Sequence, residues 1–323
     1  MSALLEVRNL RVEIAARDRT MIAIDDVSFS IAEGEILGVV GESGAGKSVT
    51  GTAILGLLER PARMSGGSIL FAGTRIDTLR GEQMRVLRGR QIAAVFQDPL
   101  TSLDPLMTIG RQLVETMLTH LTLSRPQALE RAERLLAEVG IPAPRERLES
   151  YPHELSGGMR QRVVLALAFC CEPRLIIADE PTTALDVSIQ AQVLDLLKRM
   201  CRERGTAVML VTHDMGVIAE TADRVAVMYA GRLVEIGPTA DLLRAAAHPY
   251  SAGLMASIPT MRRRRDDDLL QIPGSMPRPD APVAGCAFHP RCPQVMDRCR
   301  TERPPNFAVG ATQAACWLAG GRQ

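Results

Sequence analysis

The chain has 323 residues, 46% of them hydrophobic, with 38 basic side chains against 37 acidic ones and a formal charge of +1. That length and apolar content mark an ordinary globular protein able to bury a full core in one large or two modest domains. Near-neutrality excludes a global field that would draw in nucleic acid or an anionic surface, so local sites must carry the function.

The first residues, MSALLEVRNLRVEI, carry early charges and lack the apolar run of a signal peptide, so a cytosolic location is expected. The uncharged apolar stretch Val163–Cys171 is about half the roughly 20 residues a spanning helix needs, so any membrane association is expected to be peripheral. Residues 4–14 and 22–31 alternate apolar and polar positions and predict half-buried strands of an antiparallel sheet. EILGVV (35–40) is nearly all apolar, which suits a strand covered on both faces in a parallel sheet.

GESGAGKS (41–48) follows at once, and then the helix-compatible VTGTAILGLLE. Between about 98 and 165 the pattern is helical, with MTIGRQLVETMLTHL and then PQALERAERLLAEVG, which ends on a glycine stop. RLIIADE (174–180) predicts another buried strand, SIQAQVLDLLKRMC a helix, and AVMLVTHD (207–214) a further strand. This order predicts a nucleotide-binding α/β core with a helical subdomain. Beyond about residue 240 proline and glycine become frequent, a charge block RRRRDDD occupies 262–268, and periodicity fades. A boundary is expected there, dividing residues 1–245 from 246–323 and leaving the helical subdomain at about 98–165.

GESGAGKS fits the phosphate-loop pattern G-x-x-x-x-G-K-[ST] in the strand–loop–helix context the chemistry needs. Its glycines let successive amide N–H groups converge on phosphate oxygens while the following helix points its positive end at them. The cradle is expected to comprise Gly41, Ser43, Gly44, Gly46, Lys47, Ser48 and Val49. Lys47 is one of only two lysines in a chain whose other 36 basic residues are arginine; it is expected to bridge the β- and γ-phosphates, with Ser48 on Mg²⁺. Asp179, ending an apolar strand, is placed to reach the Mg²⁺ shell, and Glu180 to polarise an attacking water as general base.

Between these lies ELSGGMRQR (154–162), about 20 residues before the Asp-Glu strand, and it resembles the signature of ATP-binding cassette (ABC) ATPases. Gln97 in VFQDP resembles the family's Q-loop, Asp186 in TALD its D-loop, and His213 in VTHD its switch histidine. The resemblance implies a P-loop NTPase ABC cassette, with a RecA-like parallel core, an antiparallel β subdomain and a helical subdomain, plus a cysteine-containing C-terminal extension. It implies that Ser156, Gly157 and Gly158 form a second anion cradle serving a partner's ATP, so that two subunits sandwich two nucleotides. It implies that Gln97 senses the γ-phosphate or the Mg²⁺, and that His213 hydrogen-bonds the γ-phosphate. Where the family usually stacks adenine on an aromatic near the first strand, this chain has Ile14, Ala15 and Ala16.

FQDPLTSLDPLMTIG, YPHELSGGM, ADEPTTALDVSIQAQ, HPYSAGLMASIP and IPGSMPRPDAPVAGCAFHPRC together resemble the peptide/nickel importer family, and Met159 its D-type ATPase subunit. That implies an ATPase powering uptake of di- or oligopeptides, with nickel chelates, glutathione or opine-like solutes as alternatives. A soluble, non-transport ABC ATPase is the remaining reading; such proteins usually carry coiled-coil insertions or tandem cassettes, and neither is visible. The implied partners are two integral membrane permeases docking just after Gln97, an external solute-binding protein, and a second ABC ATPase. That second ATPase is an F-type subunit or another copy of this chain. No nucleic acid is implied, and the implied location is the cytoplasmic face of the inner membrane.

Cys286, Cys292, Cys299 and Cys316 are separated by gaps of five, six and sixteen residues. A cytosolic chain seldom keeps structural disulfides, so a metal is expected; four thiolates suit either Zn²⁺ or an iron–sulfur cluster. The gaps exceed the short pairs of zinc knuckles, and resemblance to the D-type subunits implies a [4Fe–4S] cluster. Its expected job is to pin a proline-rich segment too poor in apolar residues to fold unaided. His289 is expected to act around this cluster rather than as a ligand, Cys170, Cys171 and Cys201 to be small buried residues, and RRRRDDD to be a solvated linker.

Overall fold

Alternating burial along residues 3–15 and 20–32 produces two long strands, β1 (Ala3–Ala15) and β2 (Thr20–Ala32), in a computed structural model that describes residues 3–16, 19–183, 186–257 and 271–321. The RRRRDDD block lies outside the described residues. Strand β3 (Ile36–Val40) is buried at every position and leads through the glycine-rich loop into α1 (Lys47–Ile54). Then come β4 (Ala62–Phe71), β5 (Thr74–Arg75), α2 (Glu82–Leu87) and β6 (Ile92–Val95). A helical run follows: α3 (Pro99–Ser102), α4 (Ile109–His120), α5 (Arg125–Glu138), α6 (Pro144–Arg147) and α7 (Gly157–Phe169). The chain continues through β7 (Leu175–Asp179), α8 (Val187–Arg204), β8 (Ala207–Val211), α9 (Met215–Thr221), β9 (Arg224–Tyr229) and β10 (Arg232–Pro238). Last are α10 (Thr239–Ala245), α11 (Pro249–Ala256), α12 (Asp297–Thr301), β11 (Phe307–Val309), β12 (Thr312–Ala314) and α13 (Trp317–Gly320).

Two units interleave along the chain. The first comprises Met1–Leu4, Ile31–Glu35 and Thr78–Leu210. Its strands run in the order β8-β7-β6, with β6 parallel to β7 from Ile92↔Leu175 to Val95↔Ala178. Helix α5 starts at Ser124, whose amide and hydroxyl both donate to Oε1 of Gln127, at 2.9 and 2.8 Å. Helix α8 ends at Gly205, whose φ of 65° is the left-handed cap, with Arg202 and Arg204 in the last turn facing the negative end of the dipole.

The second unit comprises Leu5–Ser30, Ile36–Asp77 and Val211–Gln323. One sheet in it has the order β2-β1-β4-β5, with β4 antiparallel to both β1 and β5. Another run has the order β11-β12-β10-β9-β3, in which β3 and β9 are parallel and the remaining neighbours antiparallel. Helix α1 is shorter than its sequence suggests: it stops at Ile54 because Gly56, at φ 63°, turns the backbone out of the helix.

The C-terminal residues hold more regular structure than their composition implies. A hairpin turning at Gly310, φ 61°, pairs β11 with β12, and β12 adds to β10 at Glu235↔Ala314 and Ile236↔Gln313. Ala314, Cys316 and Ala319 close over Ala247 with Phe307 and Leu318 packed beside them, and the Arg298 guanidinium lies 3.4 Å from the Trp317 ring centroid. Phe288 is 2% exposed, with ring centroids 5.3 Å from both Tyr229 and Tyr250 and 5.8 Å from His248. Burying one phenyl ring removes enough apolar surface from water to stabilise by about 2–3 kcal/mol. Protein contacts thus hold part of this segment against β9 and α11.

Candidate functional site: a phosphate loop and a carboxylate turn

In the second unit the loop 41–48 is shaped by backbone that only glycine adopts easily. Gly41 has φ 151°, and a Cβ there would lie 2.2 Å from the Met228 carbonyl oxygen. Gly46, φ 102°, is the cap of α1, and a Cβ there would meet the Ile24 side chain at 2.4 Å. The loop thus lies flat against β9 and β2, leaving Ser43, Gly44 and Ser48 exposed, with Val49 half-buried in the first turn of α1. Lys47 is 6% exposed, and its Nζ donates to the carbonyl oxygens of Gly41 at 2.8 Å and Glu42 at 3.1 Å. A loop in which Gly41 and Gly46 leave no room for a Cβ and one ammonium lies across the turn has the shape and charge to receive a triphosphate.

His213 belongs to the same unit and is exposed between β8 and α9, where the next residue, Asp214, caps α9 by accepting from the amides of Gly216 at 2.8 Å and Val217 at 3.3 Å.

In the first unit the structure brings Gln97 and Glu180 together: Nε2 of Gln97 donates to Oε2 of Glu180 at 3.2 Å. The Thr183 hydroxyl donates to the same oxygen at 2.9 Å. Glu180 has φ 47°, a left-handed conformation rare for a non-glycine residue and costing of order 1 kcal/mol. The buried strand β7 ends at half-buried Asp179, so Asp179 and Glu180 emerge together where the strand leaves the core. Sequence reading missed Thr183, although its place three residues after a turn carboxylate is the position from which a hydroxyl reaches back.

Ser156 is the N-cap of α7, its Oγ accepting from the Met159 amide at 3.3 Å, and Ser156 and Gly157 are exposed. Gly158 is required by close approach, since a Cβ there would lie 2.8 Å from Ile189 Cγ2 on α8. Asp186 is exposed at the N-cap position of α8, with its side chain making no cap hydrogen bond. Gln97, Ser156 and Asp186 thus present polar groups to solvent near strand ends and helix starts. Near the first strand, the amide of Ala16 donates to the Arg19 carbonyl oxygen at 2.9 Å, with Ala15 and Ala16 exposed.

The four C-terminal cysteines share one neighbourhood of the second unit. Burial pushes the Cys286 thiol up to about 11, a backbone donor at Phe288 opposes this, and proximity to Cys299, Cys316 and Cys292 raises it further. Burial is also the first cause of the upward displacement at Cys292 and Cys316. Among the described residues, however, no group of three or more His, Cys, Asp or Glu side chains is arranged to hold a metal ion. The cluster or Zn²⁺ expected on Cys286, Cys292, Cys299 and Cys316 finds no support in this arrangement; the segment is closed by the Cys286 amide donating to the Cys299 carbonyl at 2.8 Å and by the buried Phe288. His289 turns its Nδ1 to the Cys286 carbonyl oxygen at 2.9 Å. Cys170, Cys171 and Cys201 are buried. Among the described residues, no helix is long and apolar enough to cross a membrane.

Comparison with known proteins agrees with this geometry. Residues 24–183 match the family model described as ABC transporter, and residues 234–299 match the one described as oligopeptide/dipeptide transporter, C-terminal region. The chain is 48% identical to a probable peptide ABC transporter ATP-binding protein, y4tR, of Sinorhizobium fredii, over 97% of this chain and 94% of the relative. It is 46% identical to the oligopeptide transport ATP-binding protein OppD of Salmonella typhimurium, over 97% and 93% of the two chains. It is 45% identical to the dipeptide transport ATP-binding protein DppD of Bacillus subtilis, over 98% and 95%. Among solved structures, the post-hydrolysis dimer of the ATP-binding cassette MJ0796 bound to ADP and Pi matches with TM-score 0.66 and 26% identity, over 73% of this chain and 98% of that one. The cbiO1 component of the cbiONQ transporter from Clostridium perfringens matches with TM-score 0.65 and 27% identity, over 76% and 92%. Glycine-shaped phosphate loop, carboxylate turn and C-terminal segment thus align with one lineage, and the chain belongs to the ATP-binding cassette family, in its oligopeptide and dipeptide transporter branch.

Proposed function

We propose that this chain is the ATP-hydrolysing subunit of an importer for di- or oligopeptides, working at the cytoplasmic face of the membrane. The observation that carries the hydrolytic reading is the Glu180 carboxylate, held on one oxygen by Gln97 and Thr183 at the end of the buried strand β7. The peptide reading is supported by the printed functions of relatives that match over nearly the whole chain.

Gly41, Ser43, Gly44, Gly46, Lys47, Ser48 and Val49 receive the triphosphate, with the Lys47 ammonium already aimed across the loop by two carbonyls. Ser48, Gln97 and Asp179 would hold Mg²⁺, which when bound would supply charge neutralisation on the phosphates. Glu180 takes a proton from the attacking water, and His213 donates to the γ-phosphate. Ser156, Gly157 and Gly158, with Asp186, face the nucleotide of a second ATPase, either an F-type subunit or another copy. Nucleotide binding energy is then spent on closing two cassettes, and the closed and open pairs bias two states of a pair of permeases. Solute enters from an external binding protein. The division into residues 1–245 and a C-terminal extension at 246–323 belongs to the same reading.

No step of this cycle passes through the cysteines; iron and zinc analysis of anaerobically purified protein decides whether they take up a [4Fe–4S] cluster or Zn²⁺. The function itself is tested by Glu180→Gln. It is expected to lower ATP turnover at least about a hundredfold while the ATP-bound pair persists on size exclusion. Undiminished turnover would remove Glu180 as the base.

A further inference from the structure

Arg291 reaches from the C-terminal segment into the phosphate loop. Its side chain is 6% exposed, and Nη1 lies 3.0 Å from both carboxylate oxygens of Glu42, the second residue of GESGAGKS. The rest of the guanidinium is committed as well: Nε donates to the Pro273 carbonyl at 2.7 Å, Nη2 to that of Ile272 at 3.3 Å, and Nη1 also to the Tyr229 hydroxyl at 3.3 Å. Such a planar fork, fixed on several sides, holds its partner in one place.

Glu42 is gripped from the other side too. Its amide donates to the Tyr250 hydroxyl at 2.9 Å, and its carbonyl accepts from Lys47 Nζ at 3.1 Å. One residue therefore joins Arg291 to the lysine that faces the phosphates. The turn that presents Arg291 is rigid, with the His289 amide on the Cys286 carbonyl and the Arg291 amide on the Phe288 carbonyl, both at 3.0 Å. Met276 adds a second touch: its Sδ accepts from the Ala230 amide at 3.2 Å, and its Cε lies 3.3 Å from where a Cβ on Gly44 would stand.

The electrostatic consequence is specific. A carboxylate in a loop built for a triphosphate repels the ligand unless a cation neutralises it, and Arg291 lies on that carboxylate with little water between. We propose that Arg291 is a positioning residue for the phosphate loop: by neutralising and fixing Glu42, the C-terminal segment sets in cis how tightly the loop grips nucleoside triphosphate. The proposal rests on the reading of GESGAGKS as the nucleotide site and adds to it a residue outside every motif of that site.

The test is a titration of the full-length chain with a fluorescent ATP analogue, with circular dichroism melts run alongside. Arg291→Met is expected to weaken binding at least about tenfold, because it leaves Glu42 charged and unpaired. Adding Glu42→Gln to Arg291→Met is expected to bring affinity back to within about threefold of wild type, since the uncompensated charge is gone. A merely structural role for Arg291 would not be rescued by neutralising Glu42. Should Arg291→Met fail to fold, Arg291→Gln retains donors for the Pro273 and Ile272 carbonyls while dropping the charge, and the same order of affinities is expected. Wild-type affinity in the single variants, or a double variant no better than the single, overturns the proposal while leaving the nucleotide site standing. A wild-type chain that binds no analogue overturns both.

Discussion

The hydroxyl of Thr183 donates to Oε2 of Glu180 at 2.9 Å, closing a turn in which Glu180 also adopts a left-handed backbone with φ 47°. A carboxylate that must take a proton from water gains from being held at one oxygen before substrate arrives. Thr183→Val keeps the shape and removes the donor. It is expected to lower kcat about tenfold with the nucleotide affinity unchanged. Steady-state ATP hydrolysis beside an equilibrium titration checks this; a variant with wild-type kcat would make the bond incidental.

Phe288 fills the space between Tyr229, Tyr250 and His248 at 2% exposure. Phe288→Ala should cost about 3–5 kcal/mol by lost burial and the cavity left behind. Urea unfolding followed by fluorescence measures the loss, and hydrogen exchange should show it concentrated between residues 271 and 300. A cost under about 1 kcal/mol would mean that the segment is held from elsewhere.

His248 gives the fold a dependence on pH. The ring is 2% exposed, its Nδ1 accepts from the Tyr250 amide at 3.0 Å, and burial holds its pKa down to about 4. In the unfolded chain the same group titrates near 6.5. Above that value neither state carries the proton, and the full contribution is present. Between about 6.5 and 4 the unfolded chain takes up a proton that the fold refuses, so stability falls with falling pH. The total loss is about 3 kcal/mol, a gap of about 2.5 pH units at about 1.4 kcal/mol each. His248→Gln should flatten that part of the profile in denaturation at pH 7, 6 and 5; parallel profiles for the two proteins would refute it.

Much of this was legible in the sequence because short-range rules decided it. Alternation fixed the faces of β1 and β2, an all-apolar run marked β3 and β7, and helical periodicity marked α4, α5 and α8. The phosphate loop was readable because a glycine pattern between strand and helix has one backbone solution, seen in Gly41 and Gly46. Tyr250 and Arg291 were not readable, because their importance comes from distant partners: 208 residues separate Glu42 from Tyr250, and 249 separate it from Arg291. The packing of the C-terminal segment was hidden for a related reason. Its few apolar residues look too sparse for a core when counted locally, yet Phe288 borrows a core already built by β9 and α11. The small hairpin at β11 and β12 did leave a trace, FAV-GA-TQA, two short runs joined by a two-residue turn that begins with glycine.

That hairpin changes what the protein shows at the border of its sheet. Left bare, β10 would offer an edge with unsatisfied amides and carbonyls at alternate residues, a template on which a neighbouring molecule's strand could grow. With β12 and β11 laid alongside, the outermost rung is only three residues long, too brief to nucleate such growth. The final residues thus act as a selvedge, and a chain trimmed before Phe307 should fray into filaments or precipitate even where its catalytic parts are intact.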